Sequence, residues 1–117
     1  MRLQLRAGEQ VWDLLLEDGP TSRDLLALLP LTLDLEDYAA TERIAYLPRQ
    51  LDTAGAPRGY APAAGDLAYY APWDNLAIFH KGFRHSAGLV RLGRIEHGIE
   101  GLAMCGRMAA QLLLVTP

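Results

Sequence analysis

Hydrophobic and polar residues alternate from the first position, with Met1, Leu3 and Leu5 on one side and Arg2 and Gln4 on the other. That period of two predicts a strand with one wet face. Gly8 marks a turn and the apolar character returns over Val11–Leu16, so a hairpin across Ala7–Gln10 is expected. After Asp18-Gly19-Pro20, Thr21 stands three residues before Asp24, the spacing of a helix N-cap with an acidic partner at N3. A short helix follows, with Leu25, Leu26, Leu28 and Leu29 as its buried stripe and Pro30 as its end. Leu31, Leu33 and Leu35 then alternate with Thr32 and Asp34, which predicts another strand.

Further along, Tyr38–Arg43 reads as a loop and Ile44–Leu47 as a short strand. Pro48–Gly65 carries three prolines and three glycines and is the longest irregular segment, of a length that is often functional or mobile. Asp66–Ala71 and Asn75–Lys81 predict two strands joined by Pro72-Trp73-Asp74, and Gly88–Ile95 predicts another. Gly98–Arg107 has weak helical character, and Met108–Val115 closes the chain as an apolar strand. Seven or eight short strands, one firm helix, no repeat and no linker point to a mainly β fold. A closed antiparallel barrel of this kind also removes exposed edges.

Length and composition narrow the picture. At 117 residues and 12.9 kDa the chain is expected to form one domain over 1–117. Half the residues are hydrophobic and 21% charged, which excludes intrinsic disorder. A net charge of −3 and a pI near 5.5 lack the basic footprint of phosphate-backbone binding, so no nucleic-acid partner is expected. Cys105 is the single cysteine; no intrachain disulfide can form, and a reducing cytoplasm fits best. Neither a signal peptide nor a membrane span is legible, so no membrane partner is expected. Ten of the eleven basic residues are arginine, with Lys81 the exception, a bias that suggests a GC-rich bacterial genome.

Several segments carry a family resemblance in order. They are Leu29-Pro30-Leu31-Thr32-Leu33, Asp37-Tyr38, Tyr46-Leu47-Pro48, Gly65 to Trp73, Asn75-Leu76-Ala77-Ile78-Phe79 and Leu92-Gly93-Arg94-Ile95. In this combination the chain resembles the small bacterial cyclophilin-like proteins over nearly its whole length. The resemblance implies an eight-stranded cyclophilin-type barrel with one or two short helices. It also raises peptidyl-prolyl isomerisation, in which a Phe-His-Arg segment supplies an arginine that weakens the amide resonance of the substrate. Here Phe79-His80 is followed by Lys81, a point donor without the planar fork, and the Gln-Gly-Gly-Asp segment that should follow is replaced by Arg84-His85-Ser86-Ala87.

Candidate chemistry concentrates in one stretch. Six of the nine aromatic residues, Tyr60, Tyr69, Tyr70, Trp73, Phe79 and Phe83, fall between 60 and 83, where they can form core or line a groove. Trp73 lies in a turn, where an indole is harder to bury. Arg94 shares a face with Val90 and Leu92; if that face points inward, it needs a carboxylate such as Glu42 or Glu96, or a ligand carbonyl. Tyr38, Glu42 and Tyr46 flank a predicted loop and suit structural hydrogen bonding more than proton transfer. His80, His85, His97 and Cys105 match no zinc spacing, so no metal is expected; Cys105, near Met104 and Met108, reads as a small buried hydrophobe. No phosphate loop or nucleophile elbow is present, and no cofactor is expected.

The leading expectation is a barrel that binds a small molecule or a proline-containing peptide in an aromatic groove lined by Tyr46, Tyr70, Trp73, Phe79 and Arg94. Two alternatives stand beside it. One is an isomerase in which Arg94 or Lys81 replaces the usual arginine; the other is an accessory subunit whose exposed aromatics form an interface. The sequence leaves the oligomeric state open.

Overall fold

The computed structural model describes residues 1–38, 41–103 and 106–115. The alternating N-terminal leucines form β1 (Arg2–Ala7) and β2 (Gln10–Leu16), joined through Gly8 in the left-handed region at φ 60. Helix α1 (Pro20–Leu26) leads to β3 (Leu31–Tyr38) and β4 (Glu42–Tyr46). A two-residue strand β5 (Gly59–Tyr60) precedes β6 (Asp66–Tyr70), a 3-10 turn at Ala71–Trp73 and β7 (Asn75–Phe79). The chain finishes with β8 (Ser86–Ala87), β9 (Leu89–Ile95), α2 (Ile99–Ala103) and β10 (Met108–Leu114). Eight strands close an antiparallel barrel in the order β1-β10-β3-β4-β7-β6-β9-β2, and β5 pairs with β8 as a separate ribbon.

Alternation along the strands sorts side chains into two sets. The inward set includes Leu3, Leu5, Leu14, Leu35, Leu67, Tyr69, Leu76, Ile78, Leu92 and Leu112, all within one continuous core. Each such leucine contributes about 1.5–3 kcal/mol by leaving water. Leu25 from α1 and Leu102 from α2 belong to the same core. A second, smaller cluster of Ile44, Ala68, Ala77, Phe79 and Leu89 occupies the opposite, outer faces of β4, β6, β7 and β9. There Tyr60, Tyr70 and Phe83 pack over it.

The α1 start differs from the predicted capping box. Gly19 is the N-cap, while Thr21 lies inside the helix and is buried, donating its hydroxyl to the Asp52 carbonyl at 2.6 Å. Asp24 accepts two bonds from Arg49, at 2.9 and 2.7 Å, and one from the Asp52 amide at 2.7 Å. The Arg49 hydrogen bond is the main cause holding the Asp24 carboxyl below its ordinary value. Partners distant in sequence thus outcompete the local cap. The helix ends at Leu26; Leu25 is its fully buried leucine, and Leu26, Leu28 and Leu29 are only partly buried.

The predicted loop over 38–43 is also corrected: Tyr38 ends β3, Glu42 and Arg43 begin β4, and the two strands pair through Tyr38↔Glu42 and Asp37↔Arg43. The long segment 48–65 is irregular but tied down. The Leu51 amide donates to the Tyr69 hydroxyl at 3.1 Å, and Tyr60 donates to Asp66 at 3.2 Å. Gly59 permits its pairing with β8, because a Cβ there would overlap the Ser86 carbonyl and lie 2.9 Å from Ala87 Cα. Among the described residues no helix is long and apolar enough to cross a membrane. Cys105 and Met104 lie outside the described residues.

Candidate functional site

The outer faces of β4, β6, β7 and β9 carry a cavity of about 250 Å³. Its floor comes from alternation. Glu42 and Ile44 of β4, Asn75 and Phe79 of β7, Tyr70 of β6 and Leu89 of β9 point the same way, and all six line the cavity. The register sets two rows across this face: Tyr38, Glu42 and Phe79 at one end, and Asn75, Tyr70 and Leu89 at the other. Along β7 the rows are four residues apart, roughly 13 Å. Phe83, Arg84 and Ser86 complete the wall, with the Arg84 guanidinium 5.1 Å from the Phe83 ring centre.

Trp73 spans the two ends. Its ring meets Tyr38 edge-on at 5.3 Å and Tyr70 edge-on at 5.4 Å. The turn that carries it is specified locally. Pro72 sits in the 3-10 turn, Asp74 adopts the left-handed conformation at φ 52, and its carboxylate accepts from the Tyr69 hydroxyl at 2.7 Å. Beneath the turn, the Ala71 amide donates to the Gly88 carbonyl at 2.9 Å. Gly88 has φ 82, and a Cβ there would come within 2.8 Å of the Pro72 ring, so glycine satisfies both the backbone and the close approach. Trp73 nonetheless stays 43% exposed, as an indole held at a rim rather than in a core.

Three of the five expected groove residues, Tyr70, Trp73 and Phe79, come together here, and two do not. Tyr46 lies on the same outer face as Glu42 and Ile44, but at the end of β4, where it is 59% exposed and outside the cavity. Arg94 is also exposed and outside it. The Val90 face does point inward, yet β9 carries an extra residue: Ala68 pairs with Arg91 and Leu67 with Gly93, so Leu92 is unmatched. Such a bulge reverses the alternation, burying Ile95 and turning Arg94 to solvent. Neither expected carboxylate meets it, since Glu96 pairs with Arg2 and Glu42 lines the cavity. The clustered aromatics also divide, with Tyr69 fully buried in the barrel core.

Sequence reasoning left out Tyr38 as a wall, Arg84, Asn75, and Glu42 as a cavity acid. Glu42 is the acid with the most altered environment. Burial beside Tyr38, Ile44 and Phe79 pushes its carboxyl from the ordinary 4.5 up to about 7. The folded chain therefore holds this proton where the unfolded chain has released it. The resulting stability is full below pH 4.5 and is lost as pH rises to about 7. Glu42→Gln should remove that slope. Allowing for solvent screening at this half-buried position, the variant should exceed the parent by roughly 1–2 kcal/mol near pH 8 and match it near pH 4. Urea midpoints at the two pH values would test this, and equal pH dependence in both proteins would refute it.

His80 follows Phe79, but its ring does not line the cavity; burial holds its pKa below the ordinary value. Lys81 is exposed and also outside. The two cations considered for an isomerase, Lys81 and Arg94, are thus both away from the cavity, and Arg84 is the cation that lines it.

No curated protein matches the chain. Among solved structures, the solution structure of a hypothetical protein from Archaeoglobus fulgidus is similar, with a TM-score of 0.73 and 18% sequence identity. The likeness covers 98% of this chain and 95% of that one and shows a shared fold. A model of the Cyclophilin-like family matches residues 5–113, almost the full span of the barrel, and the chain belongs to that family.

Proposed function

We propose that this barrel binds a small molecule or a short peptide segment in the aromatic cavity on its outer wall. The observation that carries the reading is the convergence of Tyr38, Tyr70, Trp73 and Phe79, from four separate elements, on a surface that the barrel core does not need. Aromatic rings supply large apolar area, and Glu42, Asn75 and Arg84 supply the few polar groups that would orient a ligand. The volume is below the usual range for drug-sized ligands and suits a fragment or a single peptide residue.

A thermal-shift screen of metabolites and proline-containing peptides is the first test, since a ligand at about 100 times its Kd adds roughly 2.7 kcal/mol to stability. Trp73→Ala should lower the affinity of any hit about tenfold or more. The melting temperature of the unliganded protein should change little, because the indole sits at a rim. Undiminished binding by this variant would remove the cavity as the site. A proline-peptide isomerisation assay with Arg84→Ala separates binding from catalysis, and activity lost in that variant would favour the enzyme. If no compound or peptide shifts the melting point, the exposed rings are better read as an interface.

A further inference from the structure

Asn75 is the sole asparagine of the chain, and it occupies a costly position. Only 1% of the residue is exposed, it lines the cavity, and neither its side-chain nitrogen nor its oxygen has a hydrogen-bond partner among the described residues. A buried amide without partners is destabilising. Nothing in the strand requires it. The backbone of Asn75 is paired with Tyr46 on one side and Tyr70 on the other, and its outward neighbours along β7, Ala77 and Phe79, are apolar. A leucine has the same branched outline at Cγ and would carry no such penalty. An orphaned donor and acceptor at a cavity wall call for a partner, which a bound molecule would supply.

We propose that the cavity selects its ligand through an amide, read by the Asn75 side chain. An amide is the group that complements both orphaned atoms: the Asn75 NH2 donates to the ligand carbonyl, and the Asn75 carbonyl accepts from the ligand N–H. The ligand must present that donor and acceptor side by side. A primary carboxamide does so, and so do the N–H and C=O of one residue in an extended peptide. A carboxylate or ketone satisfies only the NH2, and a hydrocarbon satisfies neither atom. Both Asn75 atoms are closed to solvent, so a side chain of the wall must shift as the amide enters; the Trp73 indole is the most exposed ring of that wall. The inference deepens the ligand-binding reading and rests on it.

Two matched probe pairs test it. Benzamide and acetophenone differ by the N–H donor group on a small ring. Acetyl-Ala-Phe-Ala-methylamide and its ester analogue, with oxygen replacing the phenylalanine N–H, differ by one donor in an extended chain. In at least one pair the amide member should bind on the order of tenfold more tightly by calorimetry. The pair that discriminates identifies a small carboxamide or a peptide as the source. Protein labelled with 15N at asparagine gives a single side-chain NH2 signal, which should move on saturation with the amide probe. Asn75→Leu should melt at or above the parent temperature and bind the amide and non-amide members of each pair with equal affinity.

Equal affinity within both pairs, or saturation with no movement of the Asn75 signal, would overturn the amide inference while leaving the cavity as a binding site. If no probe binds even at millimolar concentration, both readings fall together. A lower melting temperature for Asn75→Leu would assign the side chain to packing and also overturn it.

Discussion

Arg43→Ala should destabilise the protein by about 3–5 kcal/mol, a large share of the roughly 5–15 kcal/mol that holds an ordinary domain. Arg43 is the largest fully buried side chain, with 0% exposure, on the inward face of β4. Its guanidinium donates to Asp37 at 2.6 Å, to the Leu35 carbonyl at 3.3 Å and to the Gly106 carbonyl. Alanine would leave a void the size of the arginine stem and carbonyls that have lost their donor. Lysine cannot restore the arrangement, because one ammonium lacks the fork that reaches several acceptors. Asp37→Asn should cost much less, since the Asp37 side chain is 52% exposed and water can replace it. Urea unfolding with an unchanged m-value would measure both, and a loss under about 1 kcal/mol for Arg43→Ala would contradict this account.

Gly93→Ala is expected to open the barrel. The β2–β9 seam is held by three pairs, Leu14↔Ile95, Leu15↔Arg94 and Leu16↔Gly93. A Cβ on Gly93 would overlap the Leu15 carbonyl oxygen and lie 3.0 Å from both the Leu15 carbonyl carbon and Leu16 Cα. These are backbone atoms, which cannot rotate aside as a side chain would. The strands must separate or the ladder must slip, at about 3 kcal/mol or more, the upper range of overpacking. For a chain of this size the melting temperature should fall roughly 10–15 °C. Gly19→Ala is the control, because a Cβ there meets nothing within 4 Å, and it should stay within about 1 kcal/mol of the parent. A Gly93→Ala protein melting with the parent would show that the seam yields freely.

The barrel was legible because leucines at Leu3 and Leu5, Leu14 and Leu16, and Leu33 and Leu35 repeat every second position, and one inward face is all that closure requires. The site was less legible for the same reason. β7 is buried on both faces, so Ala77 and Phe79 stand out from Leu76 and Ile78 by no alternation of hydropathy. Arg94 was misplaced because alternation cannot reveal an extra residue such as Leu92, whose unmatched position appears only beside β6. Thr21 and Asp24 have the spacing of a cap, but Asp52 and Arg49 arrive from about 30 residues away. Tyr38 and Glu42 were separated from the aromatic run by sequence, and only the β3–β4–β7 register unites them with Phe79.

The cavity is built on the outside of a cylinder whose inside is already filled. Odd and even positions of a single strand therefore answer to different demands, one to the barrel interior and the other to the outer wall, where the proposed ligand would sit. On the proposed ligand-binding reading, replacements at Tyr70 or Leu89 would retune specificity while the leucines of the interior stay in place. The archaeal protein keeps the same architecture at 18% identity.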